Sequence, residues 1–247
     1  MKRSPLLIGI VAVIAVAAAG GIYGFATLFL HPAPSAVAID PGSSQPAASI
    51  GALPTGATST LTSGVDGSWA VDTSIGSFSD FSTSWVGYRV DETLAGNKAN
   101  TAVGRTADVT GTLALAGTRI TAVEVDANVQ MLQSDDNRRD GQLRRQALET
   151  EQFPQATFKL TTPIDLGAAP TDGQTMTATA TGELTLHGVT KAVQVPIEAR
   201  LSGDVVTVVG SVPIQFADFS IERPVSFAIL SVEDHGTMEF QLHFRHQ

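Results

Sequence analysis

The sequence predicts an all-β domain, an antiparallel sandwich or barrel of about eight strands interrupted by one short helical excursion and preceded by an N-terminal transmembrane helix. Three observations carry this reading. From Val65 almost to the last residue, apolar and polar side chains alternate with period two, as in strands with one dry face and one wet face. Short glycine-containing turns separate the runs. Residues 6–30 hold no charged side chain. The long alternation favours closure into a barrel, because a closed sheet has no exposed edges.

The N-terminal run, LLIGIVAVIAVAAAGGIYGFATLFL, would as a helix extend roughly 37 Å, enough to cross a hydrocarbon core of about 30 Å with some tilt. Lys2 and Arg3 precede it and place the rest of the chain outside the cytoplasm by the positive-inside rule. Small residues around Ala19 and Gly20 also suit a signal peptidase, so a cleaved signal peptide is the competing reading. The apolar run continues well beyond that point, which favours an uncleaved anchor. On either reading the domain is exported.

Residues 31–64 are rich in Pro, Ala, Ser, Thr and Gly, and Asp40 is their single charge. Such a segment buries too little apolar area to offset its ordering entropy, and it reads as a flexible tether of about 30 to 35 Å end to end. The expected organisation is an anchor over 1–30, a linker over 31–64 and a barrel over 65–247.

Within the barrel, Val123, Val125, Ala127, Val129 and Met131 fall on one face of their strand, opposite Glu124, Asp126, Asn128 and Gln130. Ala178, Ala180, Gly182, Leu184 and Leu186 repeat the pattern. So do Val193, Val195, Ile197, Ala199 and Leu201, and Met238, Phe240, Leu242 and Phe244 close the chain with it. The segment 134–158, SDDNRRDGQLRRQALETEQFPQATF, breaks the alternation. Asp140 is placed to cap a short helix carrying Leu143, Ala147 and Leu148 on one side, and Pro154 stops it.

Composition removes several functions. A net charge of −9 argues against nucleic acid, whose binding needs clustered Lys and Arg. The absence of cysteine excludes disulfides, thiolate metal sites and a cysteine nucleophile. No Gly-x-Ser-x-Gly occurs, so nothing suggests a serine hydrolase, and no enzymatic activity or cofactor is expected. HFRH at 243–246 sets His243 and His246 on opposite strand faces, as solvated terminal residues rather than metal ligands. DNRRDG at 136–141 fails as a calcium loop, with Arg138 where an oxygen ligand is needed.

Two stretches, RRDGQLRRQALETEQFPQATF at 138–158 and GELTLHGVTKAVQVPI at 182–197, resemble the YceI-like family of bacterial lipid-binding proteins. GSWAVDTS at 67–74, WVGYRVDETLAG at 85–96 and AVGRTADVTGTLAL at 102–115 extend the resemblance over the whole of 65–247. The resemblance implies a lipocalin-like barrel with a long apolar cavity for a polyisoprenoid or similar amphiphile. Together with the N-terminal run and its flanking Lys2 and Arg3, the expectation is a single-pass protein of the bacterial cell membrane with its domain outside the cytoplasm. The anchor and tether depart from the family's commoner cleaved signal.

Under that resemblance the dry faces become candidate cavity walls: Phe81, Val86, Tyr88 and Val90; Val123, Val125, Ala127 and Val129; Phe158 and Leu160; Ala178, Ala180 and Leu184; Val195 and Ile197; Phe240 and Leu242. The mixture of small and large residues fits a cavity, although small residues also occur in barrels filled by their own side chains. A filled barrel acting as an envelope interaction module without a ligand is the alternative. His187, at a strand end, reads first as a turn-shaping residue bonded to the hairpin backbone, and second as a head-group contact at the rim. Arg144 and Arg145 are further head-group candidates if they flank the cavity mouth, against the plainer reading of a solvated helix face.

Overall fold

The computed structural model describes residues 33–39, 65–224 and 229–247. The expected membrane helix and most of the expected linker lie outside these residues. Among the described residues no helix is long and apolar enough to cross a membrane. Residues 33–39 carry no regular secondary structure, and the Ser35 carbonyl accepts a hydrogen bond from Arg105 at 3.3 Å.

Twelve strands are described: β1 (Gly67–Val71), β2 (Trp85–Leu94), β3 (Lys98–Thr106), β4 (Val109–Ala116), β5 (Arg119–Asn128), β6 (Gln155–Leu160), β7 (Ile164–Asp165), β8 (Thr175–Leu186), β9 (Val189–Ser202), β10 (Val205–Gln215), β11 (Ile229–Val232) and β12 (His235–His246). Every strand pairing among the described residues is antiparallel. Strand β1 joins β4 on one side and β12 on the other, which closes an eight-stranded barrel through β5, β6, β8, β9 and β10. The closing seam sets Trp69 opposite His246 and Val71 opposite Phe244. The long β12 gives its other half to β2, against which β3 and β11 also pair.

Period two produces this architecture directly. Ala127 faces Val109 and Ala156, Val125 faces Phe158, Ala180 faces Val195 and Gly210 faces Phe240, so inward residues on one strand meet inward residues on the next. The alternation read through Met131 stops earlier than expected. Strand β5 ends at Asn128, whose side chain caps a 3-10 turn over Val129–Met131, leaving Val129 buried and Met131 46% exposed.

The excursion is helical, but it begins one turn before the expected cap. Helix α1 (Asn137–Gln142) is capped by Asp136, which accepts from the Arg138 backbone N–H at 2.7 Å. Asp140 instead is buried and accepts from the Ser134 N–H and hydroxyl at 3.0 and 2.6 Å. The chain then widens into a π turn over Leu143–Ala147, and it leaves that turn at Glu149, with φ 43°, well before Pro154. Arg144 ties this turn to the 3-10 turn, donating to the Gln130 and Leu132 carbonyls at 3.2 Å each.

One outer face of the barrel is not wet. The loop at 72–84 lies over β2 and β12: the Trp85 indole donates to the Phe81 carbonyl at 3.0 Å, and Gln241 donates to the Phe81 and Thr83 carbonyls. Under it the Arg105 guanidinium stacks on Phe81 and Trp85, 4.4 and 4.0 Å from the ring centres, and pairs with the buried Glu239 at 3.0 Å. His243, expected to be solvated, is buried here. Its Nε2–H donates to the Ser82 carbonyl and its Nδ1 accepts from the Thr207 hydroxyl, both at 2.9 Å. His246 occupies the other face, as its parity requires, edge-on to Trp69.

Candidate functional site

Among the described residues the barrel interior shows three apolar lobes in a row. The cap lobe, about 110 Å³, lies beneath α1 and the π turn, among Val86, Tyr88, Val90, Val129, Leu132, Leu143, Leu148 and Met238. The middle lobe, about 140 Å³, is enclosed by Val123, Val125, Ala127, Phe158, Ala180, Leu184, Val195, Ile197, Phe240 and Leu242. A far lobe of about 60 Å³ lies among Trp69, Leu115, Leu166, Met176 and Ala178. Val86 and Met238 belong to both the cap and middle lobes, and Leu113, Ile120 and Ile197 to both the middle and far lobes, so the lobes adjoin one another through shared side chains as one channel. An apolar void of about 150 Å³ is enough to hold a benzene ring, which sets the scale of each lobe.

The channel is open because its aromatic rings lie along the wall. A Cβ on Gly104 would fall 2.4 Å from the Tyr88 ring, and one on Gly210 would fall 2.6 Å from Phe240. The Phe158 ring covers Gly182 in the same way, at 2.5 Å. Tyr88 and Gly104 are direct cross-strand partners, as are Phe240 and Gly210. Each glycine thus gives a ring room to lie flat on the neighbouring strand. A side chain there would drive the ring toward the lumen. Gly104 and Gly210 were not among the residues expected from the sequence, although an inward glycine opposite an inward aromatic was a readable signal.

The cap lobe differs from the rest in holding polar groups. Glu92 is buried and lines this lobe with Arg139 and Gln142. The Glu92 carboxylate accepts from Arg139 at 3.0 Å and from the Asn100 amide at 2.7 Å. Arg139 also pairs with Asp135. The Tyr88 hydroxyl is buried and finds no hydrogen-bond partner among the described residues, and the same holds for Arg139 Nε. Burial pushes the Tyr88 phenol far above its ordinary value, so it remains a neutral donor. Glu92 was also missed in sequence. Glu92 shares the inward parity of Val86, Tyr88 and Val90, and that was its signal.

Most of the residues expected on the channel wall are there, and five of the expected site residues are not. Phe81 sits in the outer loop with φ 58°, stacked on Arg105, because β2 begins only at Trp85. Leu160 packs into the core without lining a lobe. Arg144 is bonded to backbone carbonyls, Arg145 is exposed, and neither lines a lobe. His187 has φ 50°, which turns its ring away from the polar face expected by parity and buries it under the cap. Its Nδ1 donates to the Phe219 carbonyl at 3.0 Å, its Nε2 lies 3.0 Å from the Glu149 carboxylate, and its ring meets Phe153 edge-on at 4.7 Å. It thereby joins the β8–β9 hairpin to the two irregular segments that close this end of the barrel.

Comparison with known proteins agrees with this fold. A polyisoprenoid binding domain from Saccharophagus degradans, implicated in plant cell wall breakdown, superposes with a TM-score of 0.56 at 18% identity, over 73% of this chain and 98% of that one. BcnA from Burkholderia cenocepacia gives 0.51 at 21% identity, over 70% and 98%. No curated protein matches the sequence. Residues 57–244 match the YceI-like domain, and with the closed barrel described above this places the chain in the YceI-like family.

Proposed function

We propose that this protein is a non-enzymatic carrier that holds an isoprenoid or similar long-chain amphiphile in the barrel channel, outside the cytoplasm and tethered to a bacterial cell membrane through its N-terminal segment. The observation that carries this reading is the channel itself, an almost wholly apolar row of lobes kept open by rings laid over glycines. Each methylene transferred from water into it contributes about 0.8 kcal/mol, so a long tail offsets the cost of association with few polar contacts. The solved structure from Saccharophagus degradans, described as polyisoprenoid binding, supports the same ligand class. A tether raises the local concentration of the barrel at the membrane surface, which speeds pick-up and release.

The test is native mass spectrometry of the full chain, exported and purified in mild detergent, with organic extraction of whatever is bound. A stoichiometric long-chain lipid is the expected result. A protein that purifies empty and takes up no polyprenyl lipid would instead be a ligand-free interaction module. Protease treatment of intact spheroplasts tests the topology: removal of the barrel is expected, and its protection would place it on the other side of the membrane.

A further inference from the structure

We propose that residues 33–39 are a strap seated on the outer face of the barrel at Arg105, so that the linker begins with a docked segment instead of a free coil. The barrel thus carries a surface that takes a short apolar peptide, and its occupant is the chain itself. Three observations meet at this face. Ser35 onward belongs to the same compact unit as the barrel, and the Ser35 carbonyl accepts from the Arg105 guanidinium at 3.3 Å. Val37 and Ile39 are half-buried, whereas Ser35, Ala36 and Ala38 are exposed, so the segment has a covered side and a wet one. Val103 and Arg105 point outward, since Gly104 between them lies under the inward Tyr88 ring, and yet both are buried.

Arg105 explains why a peptide carbonyl is held there. Its guanidinium has lost nearly all contact with water under Phe81, and it shares the buried Glu239 carboxylate with Arg89, at 3.0 and 3.4 Å. Its Nε finds no partner among the described residues. A buried cation short of acceptors gains from an added carbonyl, which any backbone supplies, so the uncharged stretch APSAVAI can occupy the site. Val37 and Ile39 add apolar area removed from water. Because the strap is joined to the barrel through residues 40–64, its effective concentration is about millimolar and weak contacts suffice. One consequence rests on the anchor reading: docking leaves only residues 31–34 between Leu30 and the seated segment. The reach of the tether then falls from about 30 to 35 Å for a free coil to at most about 18 Å.

The chain has no cysteine, so one can be introduced alone. Ala36→Cys, at an exposed position of the strap, carries a nitroxide in the full-length protein in detergent, with Trp69 and Trp85 isotope-labelled for nuclear magnetic resonance. The Trp85 ring lies 4.0 Å from the guanidinium that holds Ser35, so the Trp85 indole signal is expected to vanish and to return when the nitroxide is reduced. Val37→Ser combined with Ile39→Ser is expected to restore the signal, with the melting temperature within about 2 °C of the parent because the barrel is untouched. A Trp85 signal that survives in the parent, or a loss that persists in the double variant, would overturn the strap. So would loss of signal from isotope-labelled protein that carries no nitroxide once it is mixed with nitroxide-labelled protein, which would seat the segment on a second copy. No lipid enters this measurement. A protein that purifies empty yet loses the Trp85 signal keeps the strap without the carrier reading, and a barrel protected in spheroplasts removes the tether-length consequence alone.

Discussion

The two ends of the channel are built differently. At the far end, Trp69, Leu115 and Met176 come from strands, and strand-to-strand hydrogen bonding fixes their positions. At the cap end, Val129, Leu143, Leu148, Phe216 and Ile221 come from two 3-10 turns (Val129–Met131 and Phe216–Phe219), a π turn and loops held by a few side-chain bonds. The far end is mostly strand-built, with Leu166, Pro170 and Gln174 entering from one loop, whereas the cap end holds an ion pair and more irregular backbone. The difference teaches that the two ends have different mechanical support, a hydrogen-bonded ladder at one and a few side-chain bonds at the other. Irregular segments with fewer ladder hydrogen bonds open at lower free energy than a continuous sheet, so the cap is expected to open before the barrel wall does.

The largest expected effect breaks the comparison by filling the tail region. Ala180→Trp in the middle lobe should reduce binding of a twenty-carbon isoprenoid at least about 100-fold, since displacing four methylenes forfeits about 3 kcal/mol. Circular dichroism should show the barrel intact. Unchanged binding would mean that the tail does not pass through the middle lobe.

Next in size is removal of the cap's central carboxylate. Glu92→Ala leaves Arg139 with Asp135 alone and the Asn100 amide without its 2.7 Å partner. A loss of about 2 to 3 kcal/mol in urea unfolding is expected. A variant as stable as the parent would show that the pair is incidental to the cap. His187→Ala tests the joint between the hairpin and the irregular segments. Loss of two hydrogen bonds should cost about 1 to 2 kcal/mol, and amides at 137–150 should exchange faster while those of β8 and β9 hardly change. Uniform acceleration across the barrel would show that the cap does not open separately.

The smallest expected effect is one of pH, and it lies away from the channel. Burial lowers the His243 pKa, so the unfolded chain takes up the proton more readily and stability falls as pH drops below the unfolded value of about 6.5. Asp72 acts over a lower window. Hydrogen bonding from Ser74 and then Arg245 lowers it to about 2, and its contribution, present above roughly pH 4, is lost as pH falls toward 2. Urea midpoints measured for the parent and His243→Asn between pH 7 and 5 should converge at the acidic end. Parallel curves would show that His243 does not titrate on unfolding.

How much of this was legible follows from what period two does and does not encode. Val123, Val125, Ala127, Ala180, Val195, Phe240 and Leu242 reached the lumen because parity on a paired strand decides facing. The same rule failed wherever the chain left the strand. Positive φ at Phe81 and His187 reverses the direction that parity assigns, and Val129 reaches the channel from a turn rather than from a strand. His243 shows a different limit. Its outward parity was readable, but outward means solvent only where nothing covers the sheet, and the loop at 72–84 covers it. The pairing of Arg139 with Glu92 was hidden for a third reason: the two lie 47 residues apart in the chain, and no local pattern joins them.

The seam between β1 and β12 bears on how the protein is made. Trp69 is among the first residues of the domain and His246 among the last, and the ring of strands cannot close until both exist. At synthesis rates of about 5 to 20 residues per second, the first strand waits roughly 10 to 35 s for its second neighbour. During that interval the nascent sheet has two open edges and an apolar concave face. Closure by such distant segments also makes folding slow relative to helical domains of the same size. A chain of this design therefore postpones its closing step until β12 has been made.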